Sequence, residues 1–428
     1  MKKFLLVLPL FIAAVSEAQT EKCASAAVYH QHKQDPARAA AMNQVASQAR
    51  AWLEAHPETR QQQNRTSVPL LTIPTVVHVL YKNATQNISD QQVYSQIASL
   101  NADYRRLNAD TVNTLPVFDT LAADIEIEFC LATVDPQGNP TNGITRTSTA
   151  GGQLFGYFSP LGEDAKFDST GGKTAWPTDK YLNLWVCELF PGLLGYAQFP
   201  GDAASTDGVV ITYTAFGTLG TVTAPSTRGR TASHEVGHWM GLFHIWGDDS
   251  DCTTGSDSIA DTPNASSQSQ SDCQLSLNSC SNEDPWWGVI DPPDNVQNYM
   301  DYSNDSCMNM FTLGQKARMH SFLYGDPRRA ALFTSNGGCN PVLVKNNTFD
   351  NYFSVYPNPS DGIMNVSYFG TFSPEMHVTL FDNMGRQVRA WAAQEYIYTL
   401  DMGGLPSGIY FLRFQGEGGV GVKKITLQ

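Results

Sequence analysis

His234-Glu235-Val236-Gly237-His238-Trp239-Met240-Gly241-Leu242-Phe243-His244 decides how this chain is read. Two histidines at i and i+4 lie on one face of a helix, so both imidazoles can reach a single zinc ion. Glu235 stands beside them, placed to act as general base on an attacking water. Three residues past His238, Gly241 lets the helix break and the chain turn sharply, which brings His244 round as a third ligand. A fourth coordination position stays open for water, which marks a catalytic rather than a structural site. The bare H-E-x-x-H pattern arises by chance in roughly one chain in a hundred of this length from residue frequencies. Gly241 and His244 at their offsets lower that by orders of magnitude.

Upstream, Ile73 to Tyr81 is a β-branched run and is expected to be a strand. Ser89 with Gln92 makes a capping box that opens an amphipathic helix to about Leu107, with Val93, Ile97, Leu100 and Tyr104 on one face. Ile125–Phe129 alternates like a half-exposed strand, Leu182–Val186 is another, and Pro200 at the end of Gly195–Phe199 favours a sheet edge. The histidine helix is expected over Thr231–Phe243. Ile245 to Phe311 is rich in Asp, Ser, Asn and Cys and is expected to be loop. Thr312 and Gln315 then cap a helix to about Leu323. The pattern describes an α+β domain: a twisted mixed sheet with a backing helix and the zinc helix, over a loop-rich lower half. Past Pro341, short alternating strands at Phe353–Tyr356, Met364–Tyr368, His377–Phe381, Ile409–Phe414 and Lys423–Leu427 describe a small all-β sandwich.

The N-terminus carries Lys2 and Lys3, the apolar run Phe4–Val15, and Ser16-Glu17-Ala18 with small residues for cleavage before Gln19. Residues 1–18 are therefore expected to be an export signal. Residues 19–68 are polar and Ala/Gln-rich, with a helix from Pro36 to about Ala55, and have too little apolar content for a domain; they are expected to be a pro-segment or a linker. The domain that carries the histidines takes 69–340, a linker 341–351, and the sandwich 352–428. No later segment approaches the ~20 apolar residues that span a bilayer. A net charge of −14 without a Lys/Arg cluster excludes nucleic acid as the main partner. Four of the cysteines, Cys252, Cys273, Cys280 and Cys307, cluster in the loop-rich stretch, where disulfides can replace a missing core.

The eleven-residue signature resembles that of the metzincin metalloproteases, which also carry a Met-turn beneath the zinc, and Asn298-Tyr299-Met300-Asp301-Tyr302 fits that part. With Gly229-Arg230-Thr231, Asp261-Thr262-Pro263 and Phe311-Thr312, the stretch from about Ile73 to Leu323 is similar to the pappalysin (cytophagalysin) family. The resemblance implies a zinc endopeptidase made as a zymogen. It implies Met300 as an apolar cushion under the histidines, and Tyr302 as a hydroxyl donor to the tetrahedral intermediate. Asp305 corresponds to the floor of the S1′ pocket, which implies cleavage on the amino side of Arg or Lys. Asp257, Ile259 through its carbonyl, and Thr262 match a calcium site. Cys252–Cys280 and Cys273–Cys307 correspond to the family's disulfides. Cys23 corresponds to a cysteine switch that occupies the open zinc position; the alternative is a disulfide with Cys339. Of the rest, Cys130–Cys187 is the favoured pair. Peptide substrate is expected to pair along the edge strand at Gly195 and Ala197, and self-maturation would cut before Arg60 and Arg65.

The last domain is similar to the type IX secretion sorting domain, through Val355-Tyr356-Pro357-Asn358-Pro359-Ser360-Asp361-Gly362, Leu405-Pro406-Ser407-Gly408-Ile409-Tyr410 and the terminal Lys423–Leu427. That implies the secretion machinery as partner, passage through the periplasm, and release from or attachment to the bacterial outer surface. Two alternatives differ in class: a surface adhesin with an inactive metzincin-like domain, and a zinc amidase acting on peptidoglycan.

Overall fold

Val76, Val77 and Val79 in the strand β1 (Leu71–Tyr81) are fully buried, because this strand lies in the middle of a sheet covered on both faces. In the computed structural model, the described residues are 22–60, 70–149, 154–156, 163–248, 252, 256–269, 272–281, 287, 291–335, 338, 353–368, 376–382, 386–392, 397–416 and 419–428. The expected export signal, Arg65, Cys339 and the expected linker lie outside them.

β2 (Ile127–Leu131) pairs with the first half of β1 and β3 (Ile144–Ser148) with its second half. On the other side β4 (Leu182–Cys187), β6 (Val209–Thr212) and β5 (Gly195–Ala197) follow in that order. Every pairing is parallel except that of β5, which runs antiparallel to β6 at the sheet edge. This is the expected mixed sheet. Its backing helix is α3 (Asp90–Tyr104), whose Val93, Ile97, Leu100 and Tyr104 are fully buried against Ile127 and Phe129.

Three expectations need correcting. Ser89 caps α3 by accepting from the Gln92 amide, but the Gln92 side chain does not return the bond; it donates to the carbonyls of Tyr213 and Phe216. The strand at 125–129 is shifted to β2 and is buried throughout rather than half-exposed, because Glu128 is drawn inside by Arg105. Cys130 is disulfide-bonded while Cys187 is free and buried, so these two do not pair. Cys130 stands opposite Pro74 on β1, and Cys187 follows Val186, opposite Val79 on the other side of the same strand. At ~4.8 Å per strand and ~3.3 Å per residue, that separation exceeds the ~7 Å limit for bridged Cα atoms.

Below the sheet lie the short α4 (Pro116–Asp119), the histidine helix α5 (Arg230–Trp239), α6 (Leu313–Gly325) and α7 (Pro327–Ala331). Thr312 and Gln315 form a complete capping box on α6. Among the described residues no helix or strand is assigned between α5 and α6, as the composition predicted. Cys252–Cys280 and Cys273–Cys307 are both formed there.

The stretch expected to be a pro-segment holds α1 (Ser25–His32) and α2 (Pro36–Ala55), the latter capped by Asp35 and opened by Pro36. α2 lies closely on α6: a Cβ at Gly325 would sit 2.8 Å from the Ala49 Cα, and Trp52 stacks on Tyr324 at 5.0 Å.

The C-terminal part holds two antiparallel sheets. One contains β7 (Phe353–Tyr356), β8 (Ile363–Tyr368) and β11 (Ile397–Asp401); the other contains β9 (His377–Asp382), β10 (Gln387–Ala392), β12 (Gly408–Gly416) and β13 (Gly419–Leu427). Phe353, Val366, Leu380, Leu412, Phe414 and Ile425 fill one core between them. β10 and β11 were not expected from sequence. Among the described residues no helix is long and apolar enough to cross a membrane.

Candidate active site

α5 ends at Trp239, four residues earlier than the pattern predicted, because Gly241 takes a left-handed backbone conformation (φ +91°) and reverses the chain. A Cβ there would also meet the ring of Phe322 at 2.3 Å. The reversal brings His244 back to the two helix histidines. The three Nε2 atoms lie 3.1–3.2 Å apart.

Each ring is oriented through its other nitrogen. His234 Nδ1 donates to the Tyr299 carbonyl at 2.7 Å and His238 Nδ1 to the Leu242 carbonyl at 2.8 Å; His244 Nδ1 meets the Asp248 carboxylate at 2.5 Å. A carbonyl only accepts, so Nδ1 carries the proton and the Nε2 lone pair is left facing inward. Burial, with help from the neighbouring imidazoles, holds His234 down at about 3 and His238 well below the ordinary histidine range, so these rings are neutral. Three inward lone pairs repel one another unless a cation lies between them. The donor set and its oriented outer partners thus fit zinc. With the Cys23 Sγ the four donor atoms lie within 4.8 Å of one another.

Met300 lies beneath this group. A Cβ at Gly237 would come within 2.5 Å of the Met300 Sδ, so the methionine packs directly on the bare backbone of α5. Tyr302 sets its ring edge-on to His244 at 5.0 Å, and its hydroxyl donates to the Cys23 carbonyl at 3.1 Å.

Glu235 is buried, and burial pushes its carboxyl up to about 8 although the Ser25 hydroxyl (2.7 Å) and the Cys23 thiol (3.3 Å) both donate to Oε2. Ser25 also accepts from the Ala197 amide at 2.8 Å. The amides of Leu194 and Gly195 donate to the Lys22 carbonyl, and the Ala24 amide donates to the Gly195 carbonyl. Residues 22–25 therefore use the hydrogen-bonding groups of the free edge of β5, at the Gly195 and Ala197 positions expected to pair with peptide.

On one side of the histidines a cleft is lined by Lys22, Thr231, His234, Tyr302, Asp305 and Met308. Lys22 Nζ donates to the Tyr302 carbonyl at 2.9 Å, and the charges of Asp301 and Asp305 oppose the lowering of its pKa by burial. Asp305 is itself buried, and its Oδ2 accepts from the Arg228 amide at 2.6 Å.

Asp257, Ile259 and Thr262 are gathered on one turn away from the histidines. Asp257 accepts from the Ile259 amide at 2.9 Å and the Thr262 hydroxyl at 2.7 Å, and that hydroxyl lies 2.8 Å from the Ile259 carbonyl. Burial pushes Asp257 up to about 8, against the hydrogen bonds from Thr262 and Ile259 and the charge of Arg318. A buried carboxylate converging with a carbonyl and a hydroxyl suits a hard cation.

Sequence reasoning missed Lys22 and Ser25, whose only signal was adjacency to the isolated Cys23. It also missed the cluster in which Asp202 accepts from Arg38 (2.5 and 2.8 Å) and meets His32 at 2.5 Å, tying α1 and α2 to the body.

The family model described as "Pregnancy-associated plasma protein-A" matches residues 166–324, and one described as "Secretion system C-terminal sorting domain" matches 354–428. An extracellular metalloprotease of Arthroderma benhamiae is 32% identical over 255 residues, 58% of this chain and 76% of the relative. One from Pyricularia oryzae is 34% identical over 262 residues, 59% of this chain and 74% of the relative. The structure of mature mirolysin from Tannerella forsythia in complex with a cleaved peptide is 47% identical, with a TM-score of 0.56, over 62% of this chain and 96% of that one. A promirolysin mutant from Tannerella forsythia is 41% identical, with a TM-score of 0.61, over 73% of this chain and 97% of that one. Likeness to metalloproteases across the catalytic region favours peptide hydrolysis over the adhesin and peptidoglycan alternatives. With the histidine site in place and relatives of this identity on both the sequence and the structural side, the chain belongs to the pappalysin family: it is a secreted zinc metalloendopeptidase with a C-terminal sorting domain that directs it to the outer surface or beyond.

Proposed function

We propose that this enzyme cuts on the amino side of Arg or Lys and that its own residues 22–55 hold it latent. The observation that carries this reading is the placement of two consecutive pro-segment residues. Lys22 sends its ammonium into the cleft beside Asp305, and Cys23 sets its sulfur against His234, His238 and His244. A basic side chain and a soft metal ligand together occupy the S1′ position and the open coordination position. Proximity to Asp305 supports its role as the carboxylate that selects basic side chains, with Arg favoured through its bidentate geometry.

When bound by His234, His238 and His244, zinc supplies Lewis acidity toward the scissile carbonyl and acidifies the attacking water. Glu235 takes the proton from that water and passes it to the leaving amine. Tyr302 donates to the oxygen on which charge develops. Gly195 and Ala197 pair with the peptide backbone as an added strand. Met300 supports the ligands from below. Calcium on Asp257, the Ile259 carbonyl and Thr262 stiffens the loop between α5 and α6. The sorting domain brings the chain to type IX secretion machinery.

Cleavage-site mass spectrometry on a mixed peptide library tests the specificity, with wild type beside Glu235→Ala and Asp305→Ala. Cuts before Arg and Lys, absent in Glu235→Ala and redistributed in Asp305→Ala, are the expected result. Cuts before other residues in wild type would discard the Asp305 assignment. For latency, the unprocessed chain carrying Cys23→Ser should hydrolyse a short Arg peptide where unprocessed wild type does not; equal activity would remove the switch.

A further inference from the structure

The cleft at the histidines has two sides. Lys22 lies toward Asp305, whereas the residues after Cys23 follow β5 to the opposite side. There α1 sets the Tyr29 ring on Phe199 (4.8 Å between centroids) and edge-on to Phe243 (5.6 Å). Phe199 and Phe243 stack on each other at 5.2 Å, and Phe199 meets the ring of His238 at 5.4 Å. Arg318 closes the group from behind: its guanidinium lies 4.9 Å from the Phe243 ring centre, and its Nε donates to the Gly241 carbonyl at 2.6 Å. A cavity of about 610 Å³ adjoins these rings, with Met42 and Leu53 of α2 on its opposite wall.

The floor of this recess belongs to the catalytic body and its roof to the pro-segment. Phe199 is 4% exposed with Tyr29 in place. Its contacts to His238 and Phe243, and those of Phe243 to Arg318, lie within the body. The aromatic shelf therefore keeps its shape when residues 22–55 leave, and it then faces water beside a metal ligand. Two stacked rings backed by a fixed guanidinium suit an aromatic side chain, and Tyr29 demonstrates that one fits.

We propose that Phe199 and Phe243 form a substrate subsite for an aromatic side chain on the amino side of the scissile bond, and that Tyr29 occupies it in the latent enzyme. The assignment to the amino side rests on the reading of Asp305 as the floor of S1′; the aromatic preference itself does not.

The test uses enzyme activated from the full-length chain and peptides with Arg after the scissile bond. Each of the three preceding positions carries Ala, Leu, Phe, Tyr or Glu in turn. At one position, Phe or Tyr should raise kcat/KM about tenfold over Ala. Phe199→Ala and Phe243→Leu should each bring that ratio near one while cutting before Arg persists. A ratio near one in wild type, or a ratio unchanged in both variants, overturns the proposal. A second measurement needs only wild-type enzyme. A synthetic peptide of residues 22–34 should inhibit about tenfold more weakly when it carries Tyr29→Ala, and equal inhibition by the two peptides also overturns it. If a random library shows no cutting before Arg or Lys, the Asp305 reading has failed. An aromatic preference on either side of the cut that disappears in Phe199→Ala still upholds the shelf.

Discussion

The Tyr302 hydroxyl donates to the carbonyl oxygen of Cys23 across 3.1 Å. It thus engages a peptide carbonyl directly beside the three histidines, as its proposed role toward a scissile carbonyl requires. In the activated enzyme, Tyr302→Phe should lower kcat about 10²-fold and leave KM nearly unchanged, because the donor acts on charge that develops only in the transition state. Steady-state kinetics on an Arg peptide checks this. A matching rise in KM with kcat intact would make the residue a ground-state contact.

The bare backbone of Gly237 is what admits Met300 beneath the ligands. Gly237→Ala should therefore cost about 1–3 kcal/mol in unfolding free energy through overpacking and should reduce bound zinc. Adding Met300→Ala should recover part of the loss, since the two changes touch one contact. Thermal unfolding with metal analysis reads both, and additive losses would show that the contact is not the cause.

Asp202 gives the latent form an acid-sensitive attachment. Burial opposes its ionisation, but hydrogen bonds from His32 and Arg38 hold its carboxyl well below the ordinary value of 3.8. Glu163 faces His32 at 3.7 Å, and Arg328 donates to the Asp202 carbonyl. A carboxyl with a depressed folded pKa contributes stability that is fully present above its unfolded value and is lost as pH falls through the folded one. The stability difference between wild type and Asp202→Asn should accordingly be flat above about pH 4 and shrink below it. At neutral pH the same variant should raise background hydrolysis by the unprocessed chain about tenfold or more. A difference that grows toward low pH would contradict the assignment.

Much of the catalytic site and of its backing helix is legible in the sequence. The i, i+4 histidines, Gly241 and His244 fix a local turn, and the buried face of α3 follows helical spacing, so short-range geometry settled both. Contacts between residues far apart in sequence were not legible. Ser25 meets Glu235 across 210 positions, and Asp202 gathers His32 and Arg38 from over 160 positions away. Neither Ser25 nor Asp202 carries a periodic or motif signal. Glu128 looked exposed because its neutralising Arg105 sits on another element, and Gln92 looked like a cap because its true acceptors lie past residue 210.

Calcium removal tests the loop site. A calcium-selective chelator should lower the unfolding midpoint by about 5–10 °C when the ion had been present at ~100 times its Kd. Asp257→Asn should start low and not respond. An equal response of wild type and variant would place the ion elsewhere.

The two disulfides of the lower half overlap along the chain: Cys273 falls inside the loop closed by Cys252 and Cys280, and Cys280 inside the loop closed by Cys273 and Cys307. Any single peptide bond cut between residues 252 and 307 therefore leaves both fragments covalently joined, with Asp257, Met300 and Tyr302 still tethered to the same molecule. No Lys or Arg stands between residues 252 and 307, so copies of the enzyme that cut before basic residues have no site there, and where another protease does cut, a nick is not a dissociation. Tolerance of a single backbone cut is built into the order of four cysteines.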